Sequence, residues 1–574
     1  MKSLSALDLF IFVIYFIVVA GYGYWVYHKK KKATVTASHD YFLAEGSLTW
    51  WAIGASLIAS NISAEQFIGM SGNGFFVGTA VAAYEWIAAL ALIIIAIWFM
   101  PVYLKNKIYT MPQFLKTRYN ETVSLIMAIF WLLLYVFVNL TSILYLGAIA
   151  ISGLIGPEYL HAVLIGLAIF SLIITLGGMK VIGYTDVIQV AVLIIGGFAT
   201  IFFALTIVSE KFGLGRDVVA GFKTLMAQAP DHFKMILSKP GANFSQEDIN
   251  KYLILPGIAM YFAGQWIVNL NYWGCNQYIT QRALGADLQT ARKGILFAGM
   301  LKLLMPVIVM LPGIAAYVLH QNGGLQKEMI DSTGVLNQDN AYSAILSFLP
   351  SGLKGLSIAA LTAAIVASLA GKLNSIATIF TLDIYMRYFK KKEEPSTGAG
   401  VEKNMVWTGK MAALVCIVIA VLFEWNDLLG INSKGGFTFI QEYTGFISPG
   451  VFAMFILGLF WKRTTGTAAV VGLLTGLGVI LFFKLAAVNV FGSETILYTA
   501  FKNSQGHYEI PFLISMGWSF FFTMMVMISI SLAGPKVNPK AFALDKEMFK
   551  LAPSTMVMVV VTLMILLALY VKFW

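Results

Sequence analysis

Residues 50–75 read WWAIGASLIASNISAEQFIGMSGNGF and decide the fold. The stretch is long and apolar enough to be a membrane-crossing helix, yet polar side chains lie at its centre among several glycines. A membrane helix of this composition is predicted to be interrupted, and its freed carbonyls must then be satisfied by protein, water or an ion. The alternative is the ordinary abundance of glycine in membrane helices. The central polar residues are Ser60, Asn61, Ser63, Glu65 and Gln66.

A second stretch of the same kind, GGFTFIQEYTGFISPGVFAMFILGLFW, occupies residues 435–461. It contains Gln441 and Glu442 inside an apolar run, followed by Pro449. Proline lacks a backbone donor and clashes with the preceding helical turn. Two interrupted spans in one chain indicate a transporter site near the middle of the bilayer, because the open helix ends present carbonyls to cations.

The composition excludes several classes of protein. Of the 574 residues, 59% are hydrophobic and 12% are charged, whereas soluble domains have about 45–50% and about 25%. We therefore exclude a soluble enzyme, a disordered chain and a nucleic-acid-binding module. The net charge of +11 is consistent with Lys and Arg gathered in cytoplasmic loops, so it predicts no nucleic-acid partner. The two cysteines make no disulfide framework, and without a nucleotide or nucleophile motif we expect no enzyme and no organic cofactor.

The apolar runs predict an all-α polytopic membrane protein with about fourteen transmembrane helices, because about 20 apolar residues cross a bilayer. Lys and Arg concentrate in the odd-numbered connections, beginning with Lys29–Lys32. This asymmetry predicts that both termini and the loops at 209–251 and 321–351 are extracytoplasmic. The predicted spans are 8–27, 50–73, 78–104, 122–154, 159–177, 184–208, 253–281, 292–320, 352–386, 405–424, 436–460, 466–490, 511–533 and 552–573.

The seventh predicted span, LPGIAMYFAGQWIVNLNYWGCNQYIT, combines amides with aromatic rings. Amides donate to and accept from hydroxyl groups, and rings cover apolar C–H surface, so the combination suits a polyhydroxylated ligand. Ordinary hydrogen bonds between helices are the alternative interpretation. The residues concerned are Gln265, Asn269, Asn271, Tyr272 and Trp273.

Charged residues inside the predicted spans are a further signal, because each is costly in a bilayer. Glu85 and Lys302 are candidates for function, or for neutralising each other, and both interpretations require that they lie close together. Lys372 and Lys484 are weaker candidates, and Lys372 is predicted to extend to the cytoplasmic surface. Asp186, at the entry to the sixth span, is either a station on a cation path or a carboxylate at a helix terminus.

The ninth span, GLSIAALTAAIVASLAGKLNSIATIF, is rich in alanine and serine. Small residues let membrane helices approach closely, which explains most of them. Ser368 additionally offers a hydroxyl oxygen to Na⁺ if it faces the interruption in the second span, since oxygen ligands suit a hard cation.

Eight stretches together resemble one family, the sodium/solute symporters, and most closely its bacterial sodium/galactose and sodium/glucose branch. They are ASNISAEQFIGMSG (59–72), YEW (84–86), FVNLTS (137–142), YTDVIQ (184–189), YWGCNQYITQR (272–282), LPGIAAYV (311–318), LNSIATIFTLDIY (373–385) and IQEYTGFISPG (440–450).

The resemblance implies a leucine-transporter-like core of two inverted five-helix repeats. Residues 1–48 would then form an extra helix and a basic cytoplasmic loop, and residues 49–251 the first repeat with its long extracytoplasmic loop. Residues 252–465 would form the second repeat, and residues 466–574 three C-terminal helices.

The resemblance also implies roles for individual residues. Sugar contacts are expected at Gln66, Glu85, Asn139, Asn269, Lys302 and Gln441. An inner gate is expected at Tyr272, held by Asn61 with Trp273 beside it, and an outer lid at Met70, Tyr84 and Phe437. Sodium ligands are expected at the carbonyls of Ala59, Ile62 and Ala364 and at the hydroxyl of Ser368.

Three positions depart from the family pattern. Ala88 and Ala367 each stand where the family has serine, and Asn271 stands where it has tyrosine. With Ala367, the sodium site keeps only one of two hydroxyls, so we expect a working site of reduced affinity.

The function expected from the resemblance is Na⁺-driven uptake of a hexose, galactose or glucose, by alternating access. The expected location is the plasma membrane, as in the inner membrane of a bacterium, with Na⁺, the hexose and the lipid bilayer as partners. Two alternatives stay open. The same fold can carry a polyol such as inositol or use H⁺ as the driving ion, or the chain can be a sugar sensor that does not transport.

Overall fold

The computed structural model describes residues 4–28, 48–241, 243–330, 334–389, 399–425, 428 and 436–574. Within these residues the architecture is a bundle of helices, and the one sheet is a hairpin of two short strands, β1 (Phe501–Lys502) and β2 (Tyr508–Glu509). The basic segment Lys29–Lys32, on which the orientation partly rests, lies outside the described residues.

The helices that build the bundle are numbered here in chain order. They are α1 (Ala6–His28), α2 (Trp50–Asn61), α3 (Ser71–Phe76), α4 (Thr79–Lys105), α5 (Glu121–Ile155), α6 (Leu160–Leu176), α7 (Gly178–Lys211), α8 (Gln265–Cys275), α9 (Gln277–Leu284), α10 (Leu288–Gln321), α11 (Leu353–Phe389), α12 (Ala399–Glu424), α13 (Gly436–Gly445), α14 (Ser448–Phe460), α15 (Gly466–Leu485), α16 (Phe512–Leu532) and α17 (Pro553–Phe573).

Shorter helices lie between them. They include Met111–Arg118, Val218–Gln228, Pro230–Phe233, Gln246–Ile254, Ala259–Phe262, Ala341–Ser347 and Ala487–Phe491.

Ten helices of the described residues are long and apolar enough to cross a membrane, and two bent helix pairs would bring the number to twelve. The ten match ten of the fourteen predicted spans. The two bent pairs match the seventh and eleventh spans. The fifth span is the 17-residue helix α6, and the second is divided between α2 and the segment that leads into α3. The prediction of an all-α polytopic membrane protein is therefore confirmed.

The predicted interruptions of the second and eleventh spans are both present. Helix α2 ends at Asn61, where Ile62 has extended backbone angles, and the chain resumes as the π-helical segment Glu65–Met70. Helices α13 and α14 meet at an angle of 53°. Pro449 lies in the first turn of α14, where its missing N–H removes no helical hydrogen bond.

The seventh span is also bent, which the sequence did not predict. Helix α8 makes an angle of 79° with the preceding helical segment Gln246–Phe262. The prediction for the sixth span was wrong at its start, because α7 begins at Gly178 and not near residue 184. Asp186 therefore lies inside the helix and not at its terminus.

Glycines bring the broken helix α2 close to its neighbours. A Cβ atom at Gly54 would lie 2.8 Å from the carbonyl oxygen of Gly294 in α10, so the two backbones are in direct contact. Helix α7 approaches α11 in the same way, since a Cβ atom at Gly196 would lie 2.9 Å from the Cβ of Ala360. Small residues permit such approach in membrane proteins, and here they hold the interruption against α7, α10 and α11.

Candidate functional site

A chain of buried polar side chains begins at the interruption of the second span. Lys302 of α10 donates hydrogen bonds to the carboxylate of Glu85 in α4 and to the amide oxygen of Asn61. The amide nitrogen of Asn61 donates to the hydroxyl of Tyr272 in α8, with 3.0 Å between nitrogen and oxygen. Four helices that are distant in the sequence thus meet in one connected network, which we call the central network.

The central network is closed to solvent. The side chains of Lys302 and Glu85 are 1% and 4% exposed, and Asn61 is 7% exposed. A buried ion pair repays its desolvation only when further hydrogen bonds satisfy both charges. Asn61 supplies such a bond to Lys302, and the ring of Trp273, whose centre lies 5.1 Å from the ammonium nitrogen, supplies a cation–π contact. The sequence predicted that Glu85 and Lys302 lie close together, and the structure joins them.

Three of the amides predicted to contact sugar form hydrogen bonds with other parts of the protein. Gln66 accepts a hydrogen bond from the backbone of Ser63 at 3.0 Å, so its oxygen caps the chain at the interruption. Asn269 donates to the carbonyl of Gln265 at 2.9 Å, within its own helix. Gln441 donates to Glu65 at 3.4 Å.

Two further amides are buried: Asn139, a predicted sugar contact, and Gln265, one of the amides noted in the seventh span. Asn139 lies in the π-helical part of α5, Leu134–Leu140, and is 8% exposed. Gln265 at the start of α8 is fully buried, and neither polar atom of its amide has a hydrogen-bond partner among the described residues. An unpartnered buried amide is costly unless a ligand or water completes it. Both polar atoms of the Gln265 amide are thus free to bind a ligand or water.

The three predicted lid residues are buried beside one another. The rings of Tyr84 and Phe437 pack edge to face with 5.1 Å between their centres. Phe437 lies directly on Gly69, because a Cβ atom at Gly69 would be 2.6 Å from the Cβ of Phe437. Met70, the next residue, is fully buried. The broken second span and α13 are therefore in contact on this side of the network.

Tyr272 closes the network on another side. Its hydroxyl, which accepts from Asn61, also lies against the hydroxyl of Tyr278 in α9. Its ring packs edge to face on Trp273 at 5.2 Å. Asn271, the departure from the family pattern, donates to the hydroxyl of Ser448 at 3.0 Å and so joins α8 to α14.

The predicted sodium ligands come from two neighbouring helices. Ala59 and Ile62 lie at the end of α2, and Ala364, Ala367 and Ser368 lie in α11; all five are buried. The hydroxyl oxygen of Ser368 already accepts a hydrogen bond, because the ammonium of Lys372 donates to it at 3.1 Å. The prediction that Lys372 reaches the cytoplasmic surface was wrong: the residue is 2% exposed and lies in the core.

Asp186 lies in a buried polar cluster beside the part of α2 that precedes the interruption. It accepts a hydrogen bond from Ser56 of α2, and its carboxylate lies 3.7 Å from the guanidinium of Arg282 in α9. Arg282 also donates to the hydroxyl of Ser56 at 2.8 Å. The alternative of a helix-terminal carboxylate was wrong, and a role in a cation path stays a prediction.

Sequence reasoning gave no role to Arg282, which lies one residue beyond the predicted seventh span, 253–281. It named Glu65 only among the central polar residues of the second span. It named Lys372 only as a weaker candidate, on the cost of a charge inside an apolar span. Lys484 has a partner far along the chain, since it forms an ion pair with Glu442 that joins α13 to α15.

An apolar helical bundle with interrupted helices, and with a buried polar network beside one of the interruptions, is typical of a secondary membrane transporter. The sodium:solute symporter family matches residues 41–476 of the chain. The chain therefore belongs to the sodium:solute symporter family. It is a multi-pass membrane transporter of the Na⁺-coupled solute symporter class and not an enzyme.

Similar proteins agree with this assignment. A sodium/glucose cotransporter of Vibrio parahaemolyticus is 41% identical over 100% of this chain and 99% of its own length. The mouse sodium/myo-inositol cotransporter 2 is 32% identical over 83% of this chain and 69% of its own length. A solved structure of a Na⁺-coupled sialic acid symporter, in a substrate-bound outward-open state, has a TM-score of 0.72 at 20% identity. It covers 93% of this chain and 99% of that one, which shows the leucine-transporter-like fold.

Proposed function

We propose that this chain couples the inward flow of Na⁺ to uptake of a hexose, glucose or galactose, by alternating access across the plasma membrane. The observation that carries the proposal is the central network. A buried carboxylate, ammonium, amide and phenol from four helices offer donors and acceptors to hydroxyl groups, at the point where the second span is interrupted.

The proposal assigns the sugar to the space between the lid and the inner gate. When sugar binds, Glu85 and Lys302 give up part of the contact between them and form hydrogen bonds with sugar hydroxyl groups. The amide of Gln265 then gains the hydrogen-bond partners that it lacks in the structure. Gln66, Asn139, Asn269 and Gln441 complete the polar surroundings. The ring of Trp273 covers an apolar face of the sugar.

Alternating access follows from the two sides of the site. Separation of Tyr84 and Phe437, which pack at 5.1 Å, opens one side. Release of Tyr272 from Asn61 opens the other. Because Asn61 and the sodium ligand Ile62 are neighbours in the chain, opening on the Tyr272 side would change the sugar site and the sodium site together.

A polyol is the second candidate substrate. The similarity to mammalian sodium/myo-inositol cotransporters favours it, and inositol presents a ring of hydroxyl groups to the same donors and acceptors. The relative of 41% identity is a sodium/glucose cotransporter, and this higher identity over the full chain supports the hexose.

Uptake into proteoliposomes separates these possibilities. We expect concentrative uptake of labelled glucose or galactose when Na⁺ is outside, and none when choline replaces Na⁺ or when the membrane is made leaky to Na⁺. Preferential uptake of inositol would show that the substrate is a polyol and not a hexose. Uptake driven by a pH gradient alone would show that H⁺, and not Na⁺, is the driving ion. Sugar binding without uptake would identify a sensor.

A further inference from the structure

Lys372 occupies the place where the sodium site is expected. It lies one helical turn after Ser368 in α11, and its ammonium nitrogen lies 3.1 Å from the Ser368 hydroxyl oxygen. The side chain is 2% exposed and belongs to the largest fully buried side chains of the protein. The positive charge is therefore held inside the bundle, at the only side-chain oxygen of the expected ligand set.

Burial disfavours the charge of Lys372, and neighbouring groups both attract and repel it. The ring of Tyr278 lies below the ammonium, with 4.4 Å between the nitrogen and the ring centre, and Glu65 attracts it electrostatically. Arg282 repels it, but the charge of Arg282 is opposed by Asp186. An ammonium group and Na⁺ both seek oxygen atoms, and two like charges cannot share one oxygen without strong repulsion in a region from which water is excluded.

We propose that the ammonium of Lys372 is a tethered cation that competes with Na⁺ for the hydroxyl of Ser368. In the structure the lysine donates a hydrogen bond to this oxygen. Na⁺ gains it only when the lysine side chain moves away. This inference rests on the proposed Na⁺-coupled uptake, and it adds that the chain carries its own competitor for the ion.

The competition has a measurable consequence. Removal of the ammonium frees the hydroxyl and removes the repulsion, so Na⁺ binds more tightly. The decisive variant is Lys372→Met, which keeps most of the side-chain length and loses the charge. Equilibrium binding of ²²Na⁺ to purified, sugar-free protein should give a dissociation constant at least ten-fold lower in Lys372→Met than in the wild type.

Two further variants separate charge from packing. Lys372→Arg keeps the charge and should bind Na⁺ no more tightly than the wild type. Lys354→Met makes the same substitution in the same helix about 27 Å away and should leave Na⁺ binding unchanged. If Lys372→Met does not fold, Lys372→Gln, which is polar and uncharged, takes its place in the same comparison.

The outcomes are distinct from those of the transport experiment, because Na⁺ binding is read without sugar. Tighter Na⁺ binding in Lys372→Met with wild-type binding in Lys372→Arg supports competition. Unchanged or weaker Na⁺ binding in Lys372→Met overturns it and identifies the lysine as a structural part of the core. If the wild type takes up no sugar with a Na⁺ gradient while the binding shift is present, the proposed function fails and the competition stands.

Discussion

Glu85 and Lys302 place one negative and one positive charge at the centre of the protein, each less than 5% exposed. Either charge alone would be costly there, since an unpaired charge in a membrane core loses its hydration. Paired, they are tolerated, and they keep strong acceptors and donors available for hydroxyl groups of a ligand.

The substitution Glu85→Gln tests this role. It removes the charge at nearly constant volume and leaves Lys302 without its charged partner. We expect hexose binding to weaken by about 1–3 kcal/mol, the usual cost of an unsatisfied buried polar group. Equilibrium binding of labelled sugar at saturating Na⁺ measures the change.

A matched control for that substitution is Glu121→Gln. Glu121 is 65% exposed and pairs with Lys116 at 3.0 Å, so its loss should leave sugar affinity unchanged. Equal sugar affinity in Glu85→Gln and the wild type would remove Glu85 from the proposed site.

At the scale of elements, the contact of α2 with α8 is the hydrogen bond from Asn61 to Tyr272. The substitution Tyr272→Phe keeps the ring and removes the hydroxyl. Because this hydroxyl also contacts Tyr278, we expect its loss to loosen the gate and to raise sugar efflux and exchange several-fold.

Efflux of labelled sugar from preloaded proteoliposomes measures that change. Tyr443→Phe is the control, since Tyr443 lies in the broken eleventh span but is 39% exposed. Wild-type efflux in Tyr272→Phe would show that the hydroxyl does not hold the gate.

The loop after α7 is attached to the bundle by His232. Its Nε2 atom lies 3.0 Å from the carbonyl oxygen of Phe75 at the end of α3, and its ring stacks on Tyr317 at 3.9 Å. Burial, together with the charge of Lys251, lowers the pKa of His232 to about 4. The hydrogen bond to Phe75 and the charges of Glu247 and Asp231 oppose this effect.

The direction of the pH dependence follows from this lowered pKa. Between the ordinary value of 6.5 and about 4, the unfolded chain binds a proton that the folded protein does not. Stability therefore falls as the pH falls through this window and levels off below it, with a total loss of roughly 3 kcal/mol.

Melting temperatures from pH 7 to pH 4 test this effect of His232. The melting temperature of the wild type should fall more over this range than that of His232→Gln, because glutamine does not titrate. His507→Gln, in the exposed turn between β1 and β2, should behave as the wild type. Parallel curves for the wild type and His232→Gln would contradict the prediction.

The sequence predicted the interruptions of the second and eleventh spans because their causes are local. Polar residues lie on both sides of Asn61 between Gly54 and Gly69, and Pro449 follows Gly445. It did not predict the pairing of Asp186 with Arg282, since nothing local brings residues 96 positions apart together.

The sequence also did not predict the direction in which the side chain of Lys372 points. Helix α11 is apolar on nearly all sides, so its sequence does not tell which side faces the bundle. Packing against α2 and α9 decides that Lys372 points inward. The hairpin β1–β2 was missed because its strands have two residues each.

At the scale of the whole molecule, the polar groups are distributed unequally. The central network joins α2, α4, α8 and α10, whereas the C-terminal helices meet the core mainly through apolar contacts. The ion pair of Glu442 and Lys484 joins α13 to α15 and shares no residue with this network. We therefore expect the coupling of sugar and Na⁺ to depend on Asn61 and not on this pair.

The coupling between the sugar site and the Na⁺ site is a free energy, and it acts equally in both directions. The factor by which Na⁺ tightens sugar binding therefore equals the factor by which sugar tightens Na⁺ binding. Such factors are typically about 5–150-fold. If the hydrogen bonds of Asn61 carry it, Asn61→Ala should bring both factors close to one, because Lys302 and Tyr272 then lose their connection to the segment that holds Ile62. Glu442→Gln should leave both factors at the wild-type value. Binding of labelled sugar with and without Na⁺, and of ²²Na⁺ with and without sugar, gives the two factors for each variant. A wild-type coupling factor in Asn61→Ala, even with weaker sugar binding, would show that the two sites communicate by another route.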